Sequence, residues 1–359
     1  MTIVIKIGSA LLSTPERKLN IAHLKHMVEQ VADLHKDGHK LVLVSSGAVL
    51  SGRDVANFEK EKRLPLRRQM YAALGQANLM REYSKAFSEH DILAAQSLIT
   101  RENFADREEH NNLVSMLQGL LDHRVVPILN ENDAVANLHV NFGGNDLLCA
   151  LTAASLKADR LIILTNVDHL YDKDPTKNKD ATPICEVKKI TPEIERLCAP
   201  SSNTLSIGGM LTKIQAAKIA TESGIATYFA NGLQKNILKM IMKEVEKGRT
   251  TCIGTYFKPQ AKHTSKLKYW LKHCSLPKGT ITIDDGATKA LKSHKSLLFV
   301  GVRDLSDGFE KGDTVTIVDL HNQPVGTGQV NYSSEHMKKA METKKNLQVV
   351  VHIDNMSVH

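Results

Sequence analysis

Three short segments carry the residue types that hold anions. Lys6-Ile7-Gly8-Ser9 sets a cation beside a glycine, where exposed backbone N–H groups can join it. Ser46-Gly47-Ala48 offers a second such turn. Gly208-Gly209-Met210-Leu211-Thr212-Lys213 adds another lysine at the start of a helical pattern carried by Ile214, Ala217, Ile219 and Ala220. Taken singly, each has a plainer reading: Gly-Gly before a helix makes a tight turn, and a lone lysine is usually solvated. Two acidic strings accompany them, Asn130-Glu131-Asn132-Asp133 and Gly143-Gly144-Asn145-Asp146. Asp133 could cap a turn and Asp146 could cap the helix that follows it.

Several other chemistries lack their residues. There is no G-x-x-x-x-G-K-[ST], no H-E-x-x-H and no G-x-S-x-G. Gly326-Thr327-Gly328 comes nearest to G-x-G-x-x-G, but Asn331 stands at the third glycine position and strands flank it, so it reads as a turn.

The elements that must position these clusters are legible from periodicity. Ile3-Val4-Ile5-Lys6-Ile7, Leu41-Val42-Leu43-Val44, Val125-Val126-Pro127-Ile128-Leu129 and Leu161-Ile162-Ile163-Leu164 read as strands. Ile21, Leu24, Val28, Val31 and Leu34 recur by threes and fours and predict a helix over 20–37, stopped at Gly38. A further helix is expected over Leu147–Lys157. Strands apolar on both faces and alternating with helices imply an open, mostly parallel α/β sheet sandwiched by helices. Such sheets bind ligands beyond the C-terminal ends of their strands. Gly8-Ser9, Ser45-Ser46-Gly47, Asn130–Asp133 and Thr165-Asn166 all fall there.

The last hundred residues differ. Thr280-Ile281-Thr282-Ile283, running into Asp284-Asp285-Gly286, and Asp313–Val318 alternate with period two, and five glycines punctuate short strands. A division follows into residues 1–257, a basic linker at 258–274 that holds Trp270, and a small β-rich domain at 275–356.

Composition sets the outer limits. The chain has 359 residues, 42% hydrophobic and 24% charged, within globular values. No apolar run approaches the roughly 18–20 residues of a membrane helix. The five cysteines form no C-x-x-C pair and their number is odd, so neither a disulfide framework nor a zinc site is expected, and a reducing cytoplasm is the expected setting. The net charge is +8, and residues 257–359 hold 15 Lys and Arg against 10 Asp and Glu. So small an excess suits a solvated surface; binding of nucleic acid by this end, with Trp270 stacking on a base, is the less favoured reading.

Taken together in order and spacing, Lys6–Ser9, Ser45–Ala48, Asn130–Ala136, Leu170-Tyr171-x-x-Asp174-Pro175 and Gly208–Lys213 resemble the amino-acid kinase family. The closest likeness is to the branch whose members use ATP to phosphorylate the γ-carboxylate of L-glutamate, the first step of proline biosynthesis. The tail, through Gly279–Ala287 and Gly308-Phe309-x-Lys311-Gly312-Asp313, resembles a PUA domain, an RNA-binding module in other proteins. The resemblance implies an amino-acid kinase fold with a PUA-like barrel. It implies Mg²⁺ with ATP as co-substrate, no metal ligands of the protein's own, a homo-oligomer (dimer or tetramer) and feedback inhibition by proline. Other carboxylates, aspartate or N-acetylglutamate, are the alternative substrates. An RNA-binding factor with a decayed kinase domain is the alternative class.

By the same resemblance Lys6 and Lys213 hold the transferring phosphoryl group and Asp146 orients both lysines. Ser46, Asn130, Asp133 and Asn145 bind glutamate, with Asp133 facing its α-ammonium. ATP lies against Lys6, Gly8, Thr165, Asn166, Ile207, Gly208, Gly209, Met210, Leu211, Thr212 and Lys213. A carboxylate nucleophile, with a reference pKa of about 4.3, is ionised at neutral pH and needs no general base. Catalysis then rests on cations placed where charge builds up. Five residues depart from the family pattern: Gly144 and Asn166 where Asp is usual, His169 where Gly is usual, and Ser206-Ile207 before Gly208.

Overall fold

Ile3, Ile5 and Ile7 are fully buried on one face of the first strand, β1 (Thr2–Ile7). They join a core built with the helices α1 (Ile21–Lys36), α3 (Leu64–Ser88) and α9 (Ile237–Glu246). Period two turns Lys6 to the opposite face, toward α6 (Asn145–Ser155), which contacts β1. A charged side chain in an otherwise apolar strand is therefore aimed at a specific partner.

The computed structural model describes residues 1–136, 142–198, 209–246, 252–260, 268, 270–343 and 347–358. They divide into one unit of Met1–Asn103 with Asn111–Lys262 and another of Phe104–His110 with His263–His359. Ahead of α6 in the chain come β2 (Lys40–Ser45), α2 (Ala48–Val55), β3 (Ala94–Ile99), α4 (Arg101–Ala105), α5 (Arg107–Asp122) and β4 (Val126–Glu131), all in the first unit except the stretch of α4 and α5 within Phe104–His110. After α6 come β5 (Arg160–Thr165), β6 (Leu170–Tyr171), β7 (Pro183–Ile184), β8 (Glu186–Val187), α7 (Pro192–Leu197), α8 (Met210–Glu222), β9 (Ala226–Asn231) and β10 (Thr255–Phe257). Eight strands form one sheet in the order β3-β4-β2-β1-β5-β9-β10-β8. All neighbours are parallel except β9 and β10. The mostly parallel sheet expected from the apolar strands is present.

Two glycines set how closely α2 and α3 approach. A Cβ on Gly52 would lie 2.0 Å from Tyr71 O, and one on Gly75 would lie 1.8 Å from Ala48 O. Only bare backbone allows this crossing, and it holds the N-terminus of α2 at the strand ends.

In the second unit, β11 (Gly279–Ile283), α10 (Asp285–Lys292), β12 (Leu297–Leu298) and β13 (Val302–Leu305) come first. They are followed by β14 (Thr314–Val318), β15 (Pro324–Gln329), α11 (Ser334–Glu342), β16 (Val349–Val351) and β17 (Met356–Val358). Five strands pair in the order β13-β11-β14-β15-β17 over a separate core. Asp284 ends the alternating run by capping α10, its side chain accepting from Ala287 N. Gly326 and Gly328 do not form a turn. They lie inside β15, where a Cβ would meet Ser357 O at 2.7 Å and Val351 Cγ1 at 2.5 Å. Close approach of neighbouring chain selects glycine there. Trp270 is 6% exposed and donates its indole N–H to Phe104 O (2.9 Å), leaving no ring face for a base.

Candidate active site

Lys6, Asp146 and Lys213 meet beyond the C-terminal ends of β1 and β5. Asp146 lies in the first turn of α6, where the helix dipole favours an anion. Lys6 Nζ is 2.7 Å from its Oδ1 and Lys213 Nζ is 3.3 Å from its Oδ2, while Thr212 Oγ1 donates to Oδ2 at 2.8 Å. Asp146 does not cap its own helix: Gly144 is the N-cap, with φ +123, a conformation that suits glycine. Burial opposes charge on Asp146, yet Lys6 and then Lys213 outweigh it and hold the carboxyl below its usual range. Burial also lowers the pKa of Lys213, with Asp146 opposing that shift and Lys6 adding to it.

The three line a cavity of about 250 Å³ together with Gly8, Ser46, Asn130, Asp133, Asn145, Thr165 and Asn166. Glycines and the N-terminus of α2 line it too, but not every N–H there is open. Gly8 N donates to Leu164 O (3.2 Å) and Ser46 N to Ile7 O (3.3 Å), so those two groups expected to face an anion are spent on the sheet. Asn145 Nδ2 is shared among Ser45 O (2.9 Å), Ser46 Oγ (3.2 Å) and Asn130 Oδ1 (2.8 Å), and its Oδ1 accepts from Glu131 N. Asn130 Nδ2 donates to Gln76 Oε1 at 2.9 Å. These buried amides fix Ser46 Oγ at the cavity wall.

At the other end Asp133 pairs with Arg68 (3.3 Å), and Glu131 is 6% exposed with Oε1 accepting from Phe142 N. Burial raises the Glu131 carboxyl above its usual range, the Phe142 amide opposes this, and Asp133 adds to it. Glu131 lies in the acidic string 130–133 but has no role assigned from sequence, and Arg68 gives no sequence signal at all. Arg68 looks in sequence like one of two exposed helix arginines, Arg67-Arg68, and nothing in the helix pattern separates them.

On the opposite side, Thr165 ends β5 and Asn166 follows it, and Gly209 N-caps α8, whose first residues are Met210, Leu211, Thr212 and Lys213. Ile207 and Gly208, expected at the nucleotide, lie outside the described residues. In the adjoining loop Asp168 accepts from Asn231 (2.6 Å), and His169 Nε2 lies 3.3 Å from Cys252 O. Cys252 is joined to Cys185 in a disulfide, which corrects the cysteine expectation. The parallel pairing of β8 with β10 brings the two together across 67 residues, a juxtaposition that no local spacing announces. Among the described residues no helix is long and apolar enough to cross a membrane.

Residues 1–231 match the amino acid kinase family and residues 279–353 match the PUA domain. The chain is 39% identical to a protein of Caldanaerobacter subterraneus subsp. tengcongensis named glutamate 5-kinase, over 100% of this chain and 98% of that one. It is also 39% identical to one of that name from Pasteurella multocida, over 93% and 89%. A solved isopentenyl phosphate kinase of T. acidophilum, 17% identical, shares the fold at TM-score 0.50 over 72% of this chain and 100% of that one.

Proposed function

The chain belongs to the amino acid kinase family, and from that premise we propose that it uses ATP to phosphorylate the γ-carboxylate of L-glutamate, opening proline biosynthesis. The observation that carries this reading is full-length likeness to relatives named glutamate 5-kinase, in a chain whose cavity holds two lysines on one aspartate.

The roles follow from charge. A glutamate carboxylate and a polyphosphate repel each other, and no base is required to ionise the nucleophile. Lys6 and Lys213 neutralise the oxygens of the moving phosphoryl group, and Asp146 keeps both ammonium groups in place. Ser46 and Asp133 bind the amino acid, while Asn130 and Asn145 position Ser46. The nucleotide lies against Gly8, Thr165, Asn166 and the first turn of α8. A divalent cation accompanies ATP in this chemistry, and Mg²⁺ is our assignment. Among the described residues no three of His, Cys, Asp and Glu converge on one point. The cation would be held through phosphate oxygens, and its chemistry would be charge neutralisation. Proline, a small zwitterion, would compete at the Ser46–Asp133 end. The reading also carries a homo-oligomer, and a division of labour in which residues up to about 257 hold the chemistry.

The test is direct. With Mg-ATP and hydroxylamine, the purified protein should form the γ-glutamyl hydroxamate from L-glutamate well ahead of L-aspartate or N-acetylglutamate. Equal turnover of either competitor would remove the assignment.

A further inference from the structure

We infer that Arg68 binds the α-carboxylate of the amino-acid substrate and so sets the preference for an α-amino acid over a simple carboxylate. The inference rests on the proposed reaction at this cavity. Two charged groups face each other across the space. At one end Lys6 and Lys213 share Asp146, leaving one positive charge in excess for the phosphoryl oxygens. At the other, Glu131 and Asp133 face a single cation, Arg68.

A glutamate with its γ-carboxylate at the lysine end must place both charges of its head group at the second end. Its ammonium meets Asp133 and Glu131. Its α-carboxylate needs a cation, and the lysines are engaged elsewhere. Of the cations among the described residues lining the cavity, Arg68 is the one left. A guanidinium carries five N–H donors in a planar fork suited to a carboxylate. Asp133 takes one of them, from Nη2. Asp133 thus holds the guanidinium beside the place where the head group would sit, and the three charges form an anion–cation–anion row when substrate binds. Its neighbour Arg67 is an internal control, since it is tied to Glu59 by a 2.7 Å ion pair.

The experiment compares L-glutamate with 4-aminobutyrate, which is glutamate without its α-carboxylate, at saturating Mg-ATP. Arg68→Gln should raise the KM for glutamate roughly 10- to 100-fold, the loss expected for a charge-assisted hydrogen-bonded pair. Its kcat should stay within about three-fold of wild type, since binding rather than chemistry is lost. Turnover of 4-aminobutyrate should be the same in both proteins, so the wild-type preference collapses. Arg68→Lys should recover part of the affinity as a point charge without the fork. Arg67→Gln should behave as wild type. A glutamate KM unmoved in Arg68→Gln overturns the inference, as does an equal loss on both substrates, which would mark Arg68 as structural. If the wild-type protein turns over no glutamate, the proposed reaction falls and this inference with it.

Discussion

Lys213 Nζ stands 3.3 Å from Asp146 Oδ2, so the first turns of α8 and α6 meet through opposite charges. The aspartate is favoured where it sits, at the positive end of its helix. The lysine is opposed both by its own helix dipole and by burial. A lysine placed there for stability alone would be a poor choice, which accords with the phosphoryl-binding role proposed for it.

Lys213→Ala should therefore cut kcat far more than it raises the KM for glutamate. Removing one preorganised donor costs on the order of 10²–10³ in rate. Asp146→Asn should do similar damage, because a neutral amide orients two lysines poorly. Asp133→Asn should appear in the glutamate KM instead. Steady-state kinetics of the three variants decide it; a silent Lys213→Ala would show the roles to be wrong.

The lowered pKa of Lys213 has a visible consequence. In the role proposed for it the ammonium is the working form, so the Lys213 contribution should be present below the depressed value and lost as pH rises through it. The alkaline limb of kcat/KM, which reports the free enzyme, should then fall below the ordinary lysine value of about 10.4. A plateau extending beyond that value would rule out Lys213 as the titrating group.

What the sequence made legible depended on local pattern. Ile3 to Ile7 reads as a buried strand, and its one lysine is conspicuous because five neighbours are apolar or glycine. The helix at 21–36 follows from its spacing, with Asn20 capping it. Arg68 could not be found this way, since which arginine of α3 faces the cavity depends on how the helix packs and not on its own spacing. Asp146 could be read as a cap because helix starts favour aspartate whether they cap or not. Gly326 and Gly328 suggest a turn because their reason lies on β17 and β16, distant in sequence.

The disulfide is testable by counting. Denatured without reductant, the protein should titrate three thiols, those of Cys149, Cys198 and Cys274, and after reduction all five. Closing a loop of 67 residues restricts the unfolded chain by about 4 kcal/mol in the entropic model. Reduction should lower Tm by roughly 8–15 °C at most. Five thiols without reductant would show the pair to be unbonded.

Glu131 offers the sharpest sign test. Its folded pKa is raised, chiefly by burial, above that of the unfolded chain. A raised carboxyl contributes stability that is fully present below the unfolded value of about 4.3 and is lost as pH rises through the folded value. Wherever Glu131 is ionised, the folded protein carries a buried anion at a cost, while Phe142 N needs only an acceptor. Glu131→Gln keeps that acceptor and removes the charge. Its Tm should exceed that of wild type at pH 7.5, and the gap should close as pH falls toward 4.5. The same change removes one of two anions facing the substrate ammonium, so the glutamate KM should rise as Tm rises. Stability gained where affinity is lost would mark Glu131 as retained for binding. A Glu131→Gln protein less stable at pH 7.5 would mean that Arg68 and the Phe142 amide outweigh burial, reversing the sign argued here.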